Sequence, residues 1–403
     1  MKIDWTYKKL GGSGVKTILM WMLALTLICV TSVFTSCKSD DDNPPGEQDH
    51  TSVPLVILDT DIGSSTDDLF SLELLYYYQQ QGRCKLLGVV VNREGEECAA
   101  CADVMNTYFN SGNVPVGLVR KGIKQPKVWI NYKALPDFKN ADSTPMFAHT
   151  IVDYSTLPDG WLLYRRLLAA QPDHSVSICS IGFVTCLAQL LESVGDAYSP
   201  LSGVELVRRK VKCLYIQGSS YGISPEPDYN FLQSMDFAKT FFRLWPSDVD
   251  IIFDPMETGD GIEYRPEQVI ADISWTDQHP IKQVYMVCNC NTGQKMWDPL
   301  TVINAVEGDG LFTLTERGTV ALHDDGTAIF TPSATGNCRV QVPGDDAWCS
   351  AMLEKIRNVN KIPPAGRESH IDADPSSAAK NKTGSQVLVD SPLMWLRNRT
   401  SIE

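Results

Sequence analysis

Four aspartates stand close together near the start of the main body of the chain. A short apolar segment ending at Leu58 leads directly to Asp59 and Asp61, and Asp67 and Asp68 follow after a glycine turn. Several carboxylates that converge at a strand end repel one another and usually need a cation, and oxygen ligands of this kind favour Ca²⁺ or Mg²⁺. The pattern therefore predicts a metal site.

Two other interpretations of these acids are open from the residues alone. Thr66 and Asp67 could simply cap a helix, although capping accounts for one or two acids and not four. Asp59-Thr60-Asp61 also fits the opening of a haloacid-dehalogenase-like nucleophile motif. That motif continues with Thr or Val two residues after its second Asp, whereas Gly63 occupies this position here. The metal site is the interpretation that we favour.

Apolar runs alternate with helical patterns along the chain. Several runs are continuous and rich in β-branched residues, which is typical of strands buried on both faces of a sheet. The alternation predicts an α/β fold with a mainly parallel, Rossmann-like central sheet flanked by helices, and ligands in such sheets lie beyond the carboxyl ends of the strands. The predicted strands are Leu55–Leu58, Leu86–Val91, Val114–Val119, Val176–Ile181, Val211–Ile216, Val249–Phe253 and Gln283–Cys288. The predicted helices are Asp67–Gln79, Ala99–Phe109, Trp161–Ala169, Val184–Val194 and Met235–Leu244.

The acidic segment resembles the signature of inosine/uridine-preferring nucleoside hydrolases, which is Asp-x-Asp-x-Gly followed by a pair of Asp. Four further motifs of that family have counterparts here in the same order, and the resemblance spans residues 54–360. It implies a nucleoside-hydrolase-like fold. The matching segments are Val89–Asn92, Ser180–Ala188, Pro227–Asn230 with Met235–Ala238, and Trp297–Leu300.

The resemblance also implies a Ca²⁺ ion and its ligands. These are the carboxylates of Asp61, Asp68 and Asp298 and the backbone carbonyl of Ile181. Asp61 would double as the general base that activates a metal-bound water for attack on the sugar, and Asp59 would support the ligands from behind. The residues that would contact the nucleoside are Asp67, Asn92, Asp228, Asn230 and Trp297.

Four positions depart from the family pattern. Ser65 replaces an acid, Cys186 replaces an Asn, and Asp228 is one methylene shorter than the usual Glu. Trp297 stands where pyrimidine-accepting members carry a His that protonates the leaving base. Because an aromatic ring can stack on a purine, which can take its proton at N7, this last departure favours purine nucleosides.

Two functions follow from these motifs. The first is Ca²⁺-dependent hydrolysis of the N-glycosidic bond of ribonucleosides to ribose and free base, with a small-molecule nucleoside as the partner. The alternative is a surface lipoprotein that binds nucleosides or sugars without catalysis and retains the metal pocket. The complete aspartate set favours the enzyme, whereas the missing leaving-group acid favours the binding protein. Relatives in the family often form homo-oligomers.

The composition narrows the class of partner further. The chain has 43% apolar and 21% charged residues, which excludes a disordered protein, since disorder requires low hydrophobicity. Its 35 Lys+Arg and 49 Asp+Glu give a formal charge of −14. Nucleic-acid binding requires a basic surface, so this acidity argues against such a partner and leaves cations and neutral small molecules.

The cysteines are predicted to be structural. Cys98-x-x-Cys101 could indicate redox or zinc chemistry, but no second pair with zinc-ligand spacing accompanies it. Cys179 and Cys213 lie within apolar runs, where a thiol behaves as a small hydrophobic side chain.

The N-terminus is predicted to be an export signal. Four lysines within the first 16 residues precede the apolar run Thr17–Val30, as in a signal peptide. Val33–Cys37 resembles a bacterial lipobox, in which Cys37 becomes lipidated, and the acidic stretch Ser39–Asp42 resembles the surface-export signal of Bacteroidetes-type lipoproteins. An outer-membrane lipoprotein facing the cell surface or the periplasm is therefore expected. An ordinary secretory signal cleaved near Ser36 is the alternative.

These features divide the chain into four parts. Residues 1–36 are the predicted lipoprotein signal and residues 37–52 a polar tether, so the only expected membrane contact is the lipid anchor. Residues 53–362 are the nucleoside-hydrolase-like domain, in which Leu311–Val342 is a small β-rich appendage. Residues 363–403 form a polar tail that we expect to be poorly ordered.

Overall fold

The computed structural model describes residues 53–123, 130–222, 224–288, 290–308 and 310–367. The predicted signal segment, Cys37 and the tether lie outside these residues, as does most of the predicted tail. The described residues from Val53 onward belong to one compact unit. Among them, no helix combines the length and the apolar character that crossing a bilayer requires.

Strands and helices alternate through the first two thirds of the unit, and short strands follow. The strands are β1 Leu55–Thr60, β2 Lys85–Arg93, β3 Val116–Ile123, β4 Val176–Ser180, β5 Val211–Gln217, β6 Asp250–Asp254, β7 Glu263–Tyr264, β8 Gln294–Lys295, β9 Thr313–Leu314, β10 Gly318–Leu322, β11 Ala328–Pro332 and β12 Cys338–Val342. The helices are α1 Asp67–Gln80, α2 Glu96–Tyr108, α3 Gly160–Ala169, α4 Thr185–Glu192, α5 Gly203–Lys210, α6 Tyr229–Gln233, α7 Met235–Leu244, α8 Met256–Asp260, α9 Pro266–Asp272, α10 Pro280–Val287, α11 Trp297–Glu307 and α12 Asp346–Asn360.

Ten strands form one sheet in the order β11-β10-β12-β6-β5-β4-β1-β2-β3, with β9 paired to β12. All neighbours from β12 to β3 are parallel, and the strands beyond β12 are antiparallel. The chain runs outward from β1 to β3, then returns to the other side of β1 and continues through β4, β5 and β6. This reversal makes the carboxyl ends of β1 and β4 the topological switch point, where ligands of open α/β sheets bind.

The central strand β1 is buried on both faces, as its continuous apolar run predicts. Val56 and Leu58 join the core cluster on one face of the sheet, and Ile57 joins the cluster on the other. Helices cover both faces, since Leu69 of α1 belongs to the first cluster and Leu187 of α4 to the second. The mainly parallel, helix-flanked sheet is therefore confirmed.

The structure contradicts one predicted strand and changes the expected placement of the β-rich region. The predicted strand at Gln283–Cys288 is wrong, because Gln283–Val287 belongs to the helix α10 and Cys288 is its C-cap. Pro280 occupies the first turn, where proline favours helix entry, and Ile281, Val284 and Tyr285 pack into the core at helical spacing. The β-rich region is present as β9 to β12, but it extends the central sheet, because β12 pairs in parallel with β6.

Helix α3 is anchored by a buried arginine. Arg165 is fully buried, and it donates hydrogen bonds from Nε to Asp196 Oδ2 at 2.8 Å and from Nη2 to the carbonyl oxygens of Ser199 and Leu201 at 2.9 Å. The bond from Arg165 outweighs burial and lowers the pKa of Asp196. Arg165 therefore fixes α3 against the loop that follows α4.

We expect Arg165→Met to lower the free energy of unfolding by about 3–5 kcal/mol, because it removes the ion pair with Asp196 and leaves the carbonyls of Ser199 and Leu201 without this donor. Chemical denaturation of the purified protein measures this change. The matched control is Arg208→Met, because Arg208 pairs with Asp248 at an exposed position and its loss is expected to cost less than about 1 kcal/mol. Equal losses in the two variants would contradict the anchoring role.

Candidate functional site

Three buried carboxylates meet beyond the carboxyl end of β1. Asp67 and Asp68 are the first residues of α1, and Asp298 is the second residue of α11. One carboxylate oxygen from each lies within 4.8 Å of the others. Because helix N-termini carry partial positive charge, these positions partly compensate three like charges. Of the three carboxylates predicted to hold the metal, the structure brings Asp68 and Asp298 together with Asp67, whereas Asp61 is not part of this group.

The three carboxylates lack enough protein donors to balance their charge. Burial is the larger cause and the nearby carboxylates are the smaller cause that raise the pKa of Asp68 and of Asp298 well above the usual range. Burial also raises the pKa of Asp67 to about 7. Thr60 donates to Asp68 Oδ1, whereas Asp68 Oδ2 has no partner among the described residues. A buried set of oxygen donors with an unpartnered oxygen fits a hard divalent cation such as Ca²⁺.

A helix cap does not account for these acids. Thr66 makes no side-chain cap bond to α1. Its Oγ1 instead lies 3.0 Å from Tyr285 Oη and 3.3 Å from Gln294 Oε1, which it can reach as a donor. The threonine thus joins the acidic loop to α10 and β8.

Asp59 lies behind the cluster and is held by its neighbours. Tyr164 of α3 donates to Asp59 Oδ2 at 2.7 Å, and Asn92 donates to Asp59 Oδ1. Burial nevertheless raises the pKa of Asp59 to about 7. Asn92 Oδ1 also accepts from the backbone N–H of Phe183 at 3.1 Å. Both ends of the Asn92 amide are therefore engaged within the protein, so Asn92 joins β1, β2 and the turn after β4.

Asp61 is paired with an arginine that the sequence analysis did not identify. Arg93, the last residue of β2, donates from Nε to the Asp61 carbonyl at 2.6 Å and from Nη2 to Asp61 Oδ2. The Arg93 side chain is 1% exposed and that of Asp61 11%. Burial lowers the pKa of Arg93, but Asp61 and Asp68 outweigh this effect and the pKa is raised. The signal available in the sequence was a basic residue directly after Asn92, at the end of an apolar strand.

The loop between Asp61 and Asp67 is held by a buried tyrosine. Tyr132 Oη accepts from the backbone N–H of Gly63 at 2.9 Å and donates to the Ser65 carbonyl at 2.8 Å. Gly63 has φ of +124°, and a Cβ there would lie 3.0 Å from Cys98 Sγ, so only glycine fits. Ser65 in turn donates to Asp67 Oδ1. The serine that replaces a family acid thus positions one member of the cluster.

Two residues expected to contact the sugar have partners within the protein. Asp228 caps α6, since Oδ1 accepts from the Phe231 N–H at 2.8 Å and Oδ2 accepts from the Ser219 N–H. Asn230 lies two residues further along the chain and donates weakly to Gln217 Oε1 at 3.4 Å. Asp228 is buried while Asn230 is half-buried, so Asn230 is the better placed of the two to reach a ligand.

Ile181 and Trp297 each adjoin one residue of the acidic site, Asp59 and Asp298 respectively. Ile181 follows β4, and its N–H donates to the Asp59 carbonyl at 2.8 Å. The next residue, Gly182, packs so tightly on Asp61 that a Cβ there would lie 2.6 Å from the Asp61 nitrogen. Trp297 is half-buried, and its Nε1 donates to Asp260 Oδ1 at 3.1 Å. Ile181 therefore lies at the carboxyl ends of β1 and β4, and Trp297 directly precedes Asp298 of the carboxylate cluster.

The cysteines of the described residues are free thiols. Burial raises the pKa of Cys98 to about 12 and that of Cys101 well above its usual value, so both remain protonated. This agrees with packing and offers no support for redox or zinc chemistry.

Comparison with known proteins identifies the fold. A scan against protein-family models and a search of curated proteins each found no match. Among solved structures, an inosine-uridine preferring nucleoside hydrolase from Bacillus anthracis matches with TM-score 0.57 and 16% identity, over 76% of this chain and 100% of that one. A purine-preferring ribonucleoside hydrolase from Gardnerella vaginalis matches with TM-score 0.55 and 14% identity, over 76% and 99%. The type III effector protein XopQ, solved with adenosine diphosphate ribose, matches with TM-score 0.54 and 15% identity, over 77% and 95%. The chain therefore has the fold of nucleoside hydrolases.

We expect the metal-free protein to lose stability as the pH rises from about 4 to about 7. The pKa values of Asp59 and Asp67 are raised from 3.8 to about 7, so the folded state binds more protons than the unfolded chain within this window. Linkage then lowers the unfolding free energy with increasing pH, by on the order of 1 kcal/mol per pH unit for each carboxyl. Carboxyls with lowered pKa, such as Asp196, change the unfolding free energy only at pH values below this window.

Denaturation in a chelating buffer, between about pH 5 and pH 8, measures this slope. Asp59→Asn removes one titrating group and should flatten the slope, whereas Asp137→Asn at an exposed position should leave it unchanged. If the unfolding free energy of the metal-free protein increases across the same pH range, the raised pKa values of Asp59 and Asp67 are contradicted.

Proposed function

We propose that the protein is a Ca²⁺-dependent nucleoside hydrolase, which cleaves the N-glycosidic bond of ribonucleosides and releases ribose and free base. The observation that carries the proposal is the buried three-carboxylate cluster of Asp67, Asp68 and Asp298 at the switch point of the sheet. The shared fold with nucleoside hydrolases supports it. Ligand capture alone does not require so many buried carboxylates beside a candidate base.

The residues suggest separate roles in metal binding and in proton transfer. The divalent cation, when bound, supplies a lowered pKa for water and fixes the sugar hydroxyls. Asp68 and Asp298, with the Ile181 carbonyl, would hold it, and Asp67 would act either as a ligand or as a partner of a ribose hydroxyl. Asp61 would accept the proton of the attacking water, on the face of the sugar opposite the leaving base.

The leaving base would be a purine. No histidine occupies position 297, so protonation of the base cannot use the residue found in pyrimidine-accepting relatives. The Trp297 indole is half-buried and is oriented by Asp260, which makes it available as a stacking surface. A stacked purine can take its proton at N7 from water. This step needs no additional acid from the chain.

A nucleoside- or sugar-binding protein without catalysis is the second candidate. One observation favours it, because Arg93 neutralises the carboxylate that would serve as base. The match to XopQ, solved in complex with adenosine diphosphate ribose, shows that this fold also occurs in a protein with a larger ribosyl ligand. Turnover measurements separate the two candidates.

We expect the purified protein to release ribose from inosine and adenosine, and to lose this activity when a chelator is added. Asp61→Asn should lower kcat by at least about 100-fold, because it removes the proposed base. Its metal content must be measured before the rate is interpreted, since Asp61 could also hold the cation. Asp248→Asn, at an exposed position, is the control and should retain activity.

Two results would overturn parts of this proposal. Tight nucleoside binding without ribose release, in protein that contains its metal, would establish the binding function instead. Turnover that persists after the chelator has removed all metal would exclude the cation from the reaction.

Trp297→Ala should raise the KM for inosine by about tenfold or more, because stacking contributes about 1–3 kcal/mol per base. Trp297→Phe keeps an aromatic face and should retain most of the affinity. The KM for uridine should change less in both variants. Equal effects on inosine and uridine would show that Trp297 supports the fold and does not bind the base.

A further inference from the structure

A buried arginine lies among the carboxylates of the site. Arg93 is 1% exposed, and its guanidinium contacts Asp61 through Nε and Nη2. Its charge also acts on Asp68, the residue with an unpartnered carboxylate oxygen. The ring of Phe183 lies 5.4 Å from the guanidinium carbon, measured to the ring centroid. Arg93 therefore provides positive charge directly beside the cluster.

Arg93 differs from the other fully buried arginine in how its donors are used. Arg165 directs all three nitrogens to protein acceptors, which include the two oxygens of Asp196. The Nη1 of Arg93 is buried and has no acceptor among the described residues. An arginine selected only as an anchor would be satisfied as Arg165 is, because an unpaired buried donor costs free energy. At Arg93, the neighbouring carboxylate compensates the positive charge, whereas one hydrogen-bond donor remains unpaired.

Asp61 is the only carboxylate of the acidic loop that pairs with a cation among the described residues. The cluster of Asp67, Asp68 and Asp298 forms without it. The pair between Asp61 and Arg93 is internally neutral, so three carboxylates remain to attract a divalent ion. Removing the guanidinium would return a fourth negative charge to the same small region. Such a change strengthens cation binding in a site shielded from water.

We propose that Arg93 is a positioning residue that acts as a built-in counter-cation, holding Asp61 out of the metal cluster and thereby lowering the affinity of the cluster for a divalent ion. The inference rests on the proposed metal site but does not depend on turnover. A resident positive charge also reduces carboxylate repulsion when no metal is bound. The folded protein is then more stable without metal, but it binds the metal less tightly.

Calcium titration of the purified protein by calorimetry tests this role, with Ca²⁺ alone as the probe. We expect Arg93→Met to bind Ca²⁺ at least about tenfold more tightly than the unmodified protein. Asp61→Asn should bind more weakly, because it leaves the Arg93 charge uncompensated beside the cluster. The double variant, with both changes, should return to within about threefold of the unmodified protein, because the neutral pair is replaced by two neutral side chains.

Thermal unfolding gives a second readout. Without metal, Arg93→Met should melt at a lower temperature than the unmodified protein, and saturating Ca²⁺ should raise its melting temperature by more than it raises that of the unmodified protein. Arg165→Met is the matched control: it should also melt lower but keep the original Ca²⁺ affinity. Arg93→Lys retains the charge and should keep an affinity close to that of the unmodified protein.

The opposite pattern would overturn the inference. If Asp61 is an obligatory ligand that Arg93 merely orients, Arg93→Met would bind Ca²⁺ more weakly and the double variant as weakly as Asp61→Asn. Should Arg93→Met fail to fold, the comparison of the double variant with Asp61→Asn still decides. Ribose release plays no part in these titrations, so loss of the proposed activity and failure of the Arg93 role give separate results.

Discussion

The structure of the site follows from one constraint: several carboxylates are buried together at the end of a central strand, and their charge must be compensated. Part of the compensation comes from the N-termini of α1 and α11, which carry Asp67, Asp68 and Asp298. Hydroxyl and amide donors supply another part at the neighbouring carboxylates. Arg93 supplies a full positive charge to Asp61. What these groups leave uncompensated is concentrated in the three-carboxylate cluster, and this remaining negative charge is what would attract a cation.

The sheet topology makes this concentration possible. Asp59 lies opposite Val90 of β2 on one side and Ser180 of β4 on the other, so β1 and β4 end at nearly the same level, while β2 continues to Asn92 and Arg93. Because the chain reverses direction between β1 and β4, the loops that follow these strands diverge and leave a crevice. Gly182 then permits the backbone to approach Asp61 more closely than any side chain would allow, and Gly63 permits the positive φ that the loop adopts beside Cys98. Asp298 joins the adjacent Asp67 and Asp68 because the fold brings the N-terminus of α11 to the N-terminus of α1, although the two segments are far apart in sequence.

The sequence predicted the local parts of this arrangement well and the long-range pairs poorly. Buried strands such as β1 follow from continuous apolar runs, and Asp68 and Asp298 could be assigned to one site because their motifs resemble those of a family. The run in α10 was misassigned, because a short apolar segment suits a strand or a buried helix, and only packing at Ile281 and Val284 distinguishes them. Arg93 was missed for a different reason: its partner is 32 residues away, and their contact depends on the pairing of β1 with β2.

The Asp61–Arg93 pair links the question of metal affinity to the question of catalysis. While the pair is intact, Asp61 Oδ2 already accepts a hydrogen bond from Arg93, so this oxygen is not free to take a proton from an attacking water. A nucleoside that brings its hydroxyl groups to the cation could shift the balance, because it adds oxygen ligands to the cluster and changes the field at Asp61. The state of this ion pair would therefore differ between the two candidate functions. In a binding protein it remains closed throughout, whereas in a hydrolase substrate binding must release Asp61 from Arg93 before the glycosidic bond is cleaved.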